Sequence, residues 1–106
     1  MKYIDIDKES IPYKFDMQLK NETYTFEVFY NSIGDYFTMD LYKNEKPIVL
    51  GEKVIYGRPL FSTYQALDIP KVLVYPYDFS EGEKSVGYDN FNDRVFLYLV
   101  DTELLI

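Results

Sequence analysis

Residues 13–43 alternate apolar and polar side chains through three successive runs, a period that fits strands and not helices. In the first run Tyr13, Phe15, Met17 and Leu19 alternate with Lys14, Asp16 and Gln18. Successive strand side chains point to opposite faces, so one face is apolar and the other polar. Tyr24, Phe26, Val28 and Tyr30 then share a face opposite Thr23, Thr25, Glu27 and Asn31, with Phe29 breaking the pattern. In the third run Phe37, Met39 and Leu41 point inward, and Thr38, Asp40 and Tyr42 outward. Lys20-Asn21-Glu22 supplies the first turn. Asn tolerates the left-handed region there, whereas Glu22 stands where Gly would be easier and would cost about 1–2 kcal/mol at positive φ. Asn31-Ser32-Ile33-Gly34-Asp35 supplies the second turn, with Gly34 free to take positive φ. Three antiparallel strands with one apolar face are the minimum for an independently stable sheet.

The flanking segments extend this pattern. Tyr3-Ile4-Asp5-Ile6 reads as a short strand. Ile11, before Pro12, is pushed to extended geometry. Lys43-Asn44-Glu45-Lys46 is a polar turn, and Pro47 is acceptable as the first residue of the strand that follows. Gly51 inside that extended run marks a bulge or a close backbone approach, and Lys53–Tyr56 continues it until Gly57-Arg58-Pro59. Leu60–Leu67 is the one short helical turn, with Leu60, Phe61, Tyr64 and Leu67 at helical spacing. Lys71–Tyr75, closed by Pro76, and Arg94–Val100 are apolar without alternation, as strands buried on both faces are. Between them, residues 77–93 form the longest loop, with Asp78, Glu81, Glu83, Asp89 and Asp93 against Lys84 alone. The bland reading of this stretch is a solvated acidic loop. The expectation is an all-β domain spanning residues 1–106, a small antiparallel β-barrel or barrel-like sheet of about seven strands. Such a chain buries roughly 65% of the surface its unfolded form exposes.

The residues present narrow the chemistry. There is no Cys and no His, which removes thiolates, disulfides, the commonest general base and the commonest metal ligand. The serines Ser10, Ser32, Ser62, Ser80 and Ser85 lack an activating imidazole, and the scattered glycines form no phosphate-cradling loop. Net charge is −7, with Arg58 and Arg94 the only arginines, which argues against a nucleic-acid surface. No apolar run is long enough to span a membrane as a helix, and Met1–Asp5 lacks the apolar run of a signal peptide, so synthesis in the cytoplasm is expected. Asp5 and Asp7 share a strand face. Asp89, Asn90, Asn92 and Asp93 concentrate oxygen ligands without the Gly and closing Glu of a Ca²⁺ loop, and turn hydrogen bonding is their ordinary use. No cofactor is expected. Aromatics make up 19% of the chain, 12 Tyr and 8 Phe. Two rivals to a contact role therefore stay open: a carbohydrate-binding module stacking sugars on outward Tyr36, Tyr42, Tyr77 and Tyr88, and a hydrolase built on two facing carboxylates.

The order and spacing of several weak motifs carry a resemblance. The opening Met1-Lys2-Tyr3-Ile4-Asp5-Ile6 is followed by Phe15-Asp16-Met17-Gln18-Leu19, then by Tyr24-Thr25-Phe26 leading to Tyr30-Asn31. Tyr36-Phe37-Thr38-Met39-Asp40-Leu41-Tyr42 fits an aromatic-x-x-x-Asp-Leu-Tyr strand. Leu50-Gly51, Gly57, Pro59-Leu60 and Tyr64 form a glycine-spaced middle, and Tyr88-Asp89 and Arg94-Val95-Phe96-Leu97-Tyr98 close the series. Over nearly all its length the chain resembles the phage baseplate plug family. It departs at Glu22, at Pro70-Lys71 and at Asn92, where a Gly is expected, and in a longer tail beyond Tyr98. The resemblance implies a non-enzymatic structural protein of a phage or prophage tail, located in the virion baseplate. Such a protein fills part of the central hub and spike assembly by packing against other tail proteins. The partner-contact candidates are Tyr77, Phe79, Tyr88 and Phe91 of the acidic loop and Leu104, Leu105 and Ile106 of the tail. An open sheet edge is a further template for a partner strand.

Overall fold

The computed structural model describes residues 2–61 and 70–101. The described residues form seven strands: β1 Tyr3–Ile4, β2 Tyr13–Leu19, β3 Glu22–Asn31, β4 Tyr36–Lys43, β5 Lys46–Lys53, β6 Val72–Tyr77 and β7 Phe96–Asp101. They form two antiparallel sheets, one of four strands in the order β2-β3-β4-β5 and one of three in the order β1-β7-β6. Among the described residues the sheets do not join into a closed barrel, and the arrangement is a barrel-like sandwich. The helical turn expected over Leu60–Leu67 lies mostly outside the described residues, and the two that are described, Leu60 and Phe61, are not helical.

The alternation read from the sequence is the alternation of the fold. Tyr24, Phe26, Val28, Phe37, Met39 and Leu41 are buried on the inner face of the large sheet, with Val49 of β5 beside them. Ile4, Val74 and Leu97 supply the inner face of the small sheet to the same core. Phe26 is at the centre of this packing. It pairs across strands with Phe15 and stacks on Phe61, at centroid distances of 5.5 and 6.3 Å.

Turn chemistry differs from expectation in instructive ways. Lys20 and Asn21 both take positive φ, 54° and 66°, so the strain falls on Lys20 and not on Glu22, which opens β3 opposite Leu19. This is the backbone of a two-residue primed turn, whose twist matches that of the strands it joins. Asn44 and Glu45 repeat it, at 52° and 65°. In the β3–β4 turn it is Asp35 that takes positive φ, not Gly34. Gly34 is needed for another reason: a Cβ there would come within 2.6 Å of the Tyr36 ring. Gly51 does mark a bulge. Met39 faces Glu52 and Leu41 faces Val49, so Leu50 and Gly51 together oppose Asp40, whose carboxylate accepts the Gly51 amide at 2.7 Å. Pro76 does not end β6. It is a buried strand residue facing Leu97, tolerated because β6 is an edge strand. Val95, expected in the last strand, precedes β7 and bridges to Phe91.

Glu45→Gly would turn Asn44-Glu45 into the Asn-Gly pair that a primed turn favours. The variant should be more stable by about 1 kcal/mol in chemical denaturation. Phe26→Ala should lose about 3–5 kcal/mol in the same measurement.

Candidate interaction surface

The two sheets turn unlike outer faces to solvent. On the large sheet the outer face carries Lys14, Asp16, Thr23, Thr25, Glu27, Thr38, Asp40 and Tyr42. The Thr25 hydroxyl donates to Asp16 at 2.7 Å. A shallow depression here is lined by Lys14, Asp16, Thr23, Thr25, Tyr42, Asn44 and Glu45. The outward tyrosines are capped by cations, Lys14 lying 4.9 Å over Tyr42 and Lys53 lying 4.5 Å over Tyr36.

The small sheet is the opposite. Its strands alternate Val72, Val74, Pro76 and Leu97, Leu99 inward, which leaves Leu73, Tyr75, Tyr77, Phe96, Tyr98 and Val100 outward. The register places Leu73 against Val100, Tyr75 against Tyr98, and Tyr77 against Phe96, with Tyr3 of β1 on the other side of Tyr98. Ring contacts run unbroken across the face. Tyr3 meets Phe96 at 4.6 Å, Phe96 meets Tyr98 at 6.0 Å, and Tyr98 meets Phe79 at 4.6 Å. Phe79 meets Tyr77 at 5.2 Å, and Tyr77 stacks on both Tyr75 and Tyr56 at 5.3 Å. Phe79 is 55% exposed and Tyr3 44%. Among the described residues, no strand lies over this face. β6 and β7 were expected to be buried on both sides, and among the described residues a sheet packs against one side only, the outward side chains of the two strands being partly exposed.

The acidic loop between β6 and β7 is solvated along much of its length but is anchored by two buried polar residues. Asp78 is buried and accepts hydrogen bonds from the Ser80 amide at 2.9 Å, the Ser80 hydroxyl and the Glu83 amide at 3.0 Å. These donors, the Ser80 hydroxyl foremost, hold its carboxyl below the usual carboxylate range. Asn90 is buried too, accepting from Gly87 and donating to Ser85. Asn92 accepts the Ile6 amide and donates to Asp5, and Asp93 pairs with Arg94. The oxygen-rich stretch 89–93 thus makes turn and loop contacts. Asp5 and Asp7 do not share a strand face, because β1 ends at Ile4 and Asp7 caps a short 3-10 turn at Lys8–Ser10.

The contact candidates separate accordingly. Tyr77 and Phe79 lie on the aromatic face. Tyr88 lies elsewhere, against Tyr30 at 5.1 Å, with its amide donating to Asp35 at 2.9 Å. Asp35 also accepts the Tyr30 hydroxyl at 2.7 Å, which pushes the Tyr30 pKa up to about 12. Phe91 is a correction: it is fully buried, 4.5 Å from Phe37, and has no surface to offer. The alternating-face rule could not find it, because it sits in a loop that folds back onto the core. Leu104, Leu105 and Ile106 lie outside the described residues. Sequence reasoning missed Tyr3, Tyr56, Tyr75, Phe96 and Tyr98 as surface residues. The signal available was the pair of strands apolar on both faces in a chain whose sequence offers one short helical turn at most to cover them.

Sugar stacking needs an open, shared ring plane, whereas these rings stack on or tilt against one another at interplanar angles of 17–73°. Among the described residues Asp35 and Asp78 have displaced ionisation, and both are pulled down by hydrogen bonds they accept. A general acid needs the opposite shift.

The family of cyanophage baseplate Pam3 plug gp18 matches residues 1–103. The chain belongs to this family. No curated protein matches it. Membership makes it a phage baseplate plug protein, a structural component of the virion tail that associates with other baseplate proteins.

Because its folded pKa is depressed, Asp78 contributes stability that is fully present above the ordinary Asp range and lost as pH falls through the folded value. The Ser80 and Glu83 amide resonances should therefore titrate together, with a midpoint below the usual carboxylate range. Asp78→Asn should abolish that titration.

Proposed function

We propose that this plug protein packs within the central hub and spike assembly of the baseplate, and that the outer face of the β1-β7-β6 sheet is the surface it buries there. The role is one of shape and contact, without catalysis. The observation that supports it is the sequence of β6 and β7, apolar on both faces, with one face that no strand covers among the described residues. A partner surface that completes the burial adds roughly 25 cal/mol for each Å² of apolar area removed from water. Aromatic side chains are enriched at the centres of such contacts and dominate their energetics. The polar outer face of the large sheet stays towards solvent. Synthesis takes place in the host cytoplasm before assembly.

Tyr3→Glu combined with Phe79→Glu places charge on the two most exposed rings of the face. Co-expressed with the hub and spike proteins of the same tail, the native chain should co-purify with one of them. The double variant should keep its β-sheet circular dichroism and bind at least roughly 30-fold more weakly. Thr23→Glu, on the opposite outer face, should bind as the native chain does. Retained binding by the double variant would refute the assignment of this face.

A further inference from the structure

The sheet edges are unequally defended. β1 is two residues long. β6 is covered by the segment after β5, with the Gly57 amide donating to Pro76 and the Leu60 amide to Val74, both at 2.8 Å. β5 carries Pro47 and the Gly51 bulge, and its register with β4 shifts twice. These are the devices that keep strand edges from pairing with other chains. β2 is longer than β1, unbulged, free of Pro and not covered by another strand among the described residues, and the two charges it carries, Lys14 and Asp16, are of opposite sign. Its seven residues run in continuous register with β3, and their outer edge pairs with no strand among the described residues. Its inward side chains Tyr13, Phe15 and Met17 are only half-buried, while those of β3 and β4 beside them are buried.

The strand also fits itself. Leu19 and Glu22 flank a two-residue turn and so form the hydrogen-bonded pair that closes it. Alternation then turns the N–H and C=O groups of Lys14, Asp16 and Gln18 away from β3. In an antiparallel pairing of two β2 strands centred on Phe15, Lys14 of each copy faces Asp16 of the other. Both residues have outward backbone groups to exchange, Tyr13 comes to face Met17, and Phe15 faces Phe15. Centring on Lys14 or on Asp16 sets like charges opposite, and centring on Met17 sets Lys14 against Lys20. Lys14 and Asp16 are lightly engaged within the chain: Lys14 lies 4.0 Å from Glu27 and over the Tyr42 ring, and Asp16 accepts the Thr25 hydroxyl.

We infer that a second copy of this chain adds along β2, joining the two four-stranded sheets into one continuous sheet through the Phe15-centred register. This is independent of the aromatic face, which lies on the other sheet. Sedimentation of the native chain over a concentration series up to roughly millimolar should show a monomer–dimer equilibrium. Lys14→Asp alone, or Asp16→Lys alone, places like charges opposite at both crossings and should weaken self-association by roughly tenfold or more. Mixing the two variants should restore dimers, because only the mixed pair is complementary, and the swap Lys14→Asp with Asp16→Lys should dimerise as the native chain does. In the dimer the Lys14 and Asp16 amides should exchange slowly with solvent. Three results would overturn the inference: a monomer at every concentration, a dimer indifferent to both reversals, or a monomer whose Lys14 and Asp16 amides are already protected. The second would mean association through another surface, and the third an edge already occupied by the chain itself.

Discussion

β6 and β7 are apolar on both faces, and among the described residues only one sheet packs against them. Everything else in the structure is arranged around that mismatch. The four-stranded sheet has the usual economy of a half-solvated antiparallel sheet, with rings and aliphatics inward and Thr, Lys, Asp and Glu outward. The three-stranded sheet does not. Its inner side chains, Ile4, Val74 and Leu97, complete the core around Phe26 and Phe37, while its outer side chains form a belt of touching rings. Those rings touch one another, and apart from Tyr3 and Phe79 they are only partly exposed.

The long acidic loop serves the same end. Its buried carboxylate and amide, Asp78 and Asn90, are spent on backbone N–H and C=O groups of the loop itself, so the segment that follows β6 is fixed and not free. Phe79 is held at the edge of the aromatic face by its neighbour Asp78, and Phe91 and Val95 pin the far end of the loop into the core. At the opposite end, Asp35 gathers the Tyr30 hydroxyl and the Tyr88 amide. A Cβ at position 87 would come within 2.7 Å of the same carboxylate, which explains the glycine. These polar contacts position surfaces. None of them brings together an acid, a base and a nucleophile.

Much of this was legible in the sequence, and the exceptions have physical reasons. The β2–β4 meander follows from period-two alternation, since slipping any strand by one residue would turn Phe26 or Met39 out to solvent. The Gly51 bulge was signalled by a glycine in a strand. Positive φ at Lys20, Glu45 and Asp35 was not, because the tight connection between strands sets those angles and overrides residue preference. Pro76 was misplaced because a proline reads as a stop, yet an edge strand has a side on which a missing N–H costs nothing. Phe91 was taken for a surface ring because loops usually lie in solvent. Tyr77 and Phe79 were named from the loop, but the strand rings beside them, Tyr75, Phe96 and Tyr98, were missed for a deeper reason. A strand apolar on both sides reports that both sides are buried, and it does not report whether the second cover belongs to the same chain.

That distinction can be measured directly by hydroxyl-radical footprinting of the free protein and of assembled tails. In the free protein Tyr3 and Phe79 should label readily, together with Tyr98 and Phe96. In tails these rings should be protected, while Tyr42, on the polar outer face of the large sheet, labels equally in both. Equal labelling of Tyr3 and Phe79 in free and assembled protein would mean that no neighbour covers the aromatic face, and would contradict the account at its root.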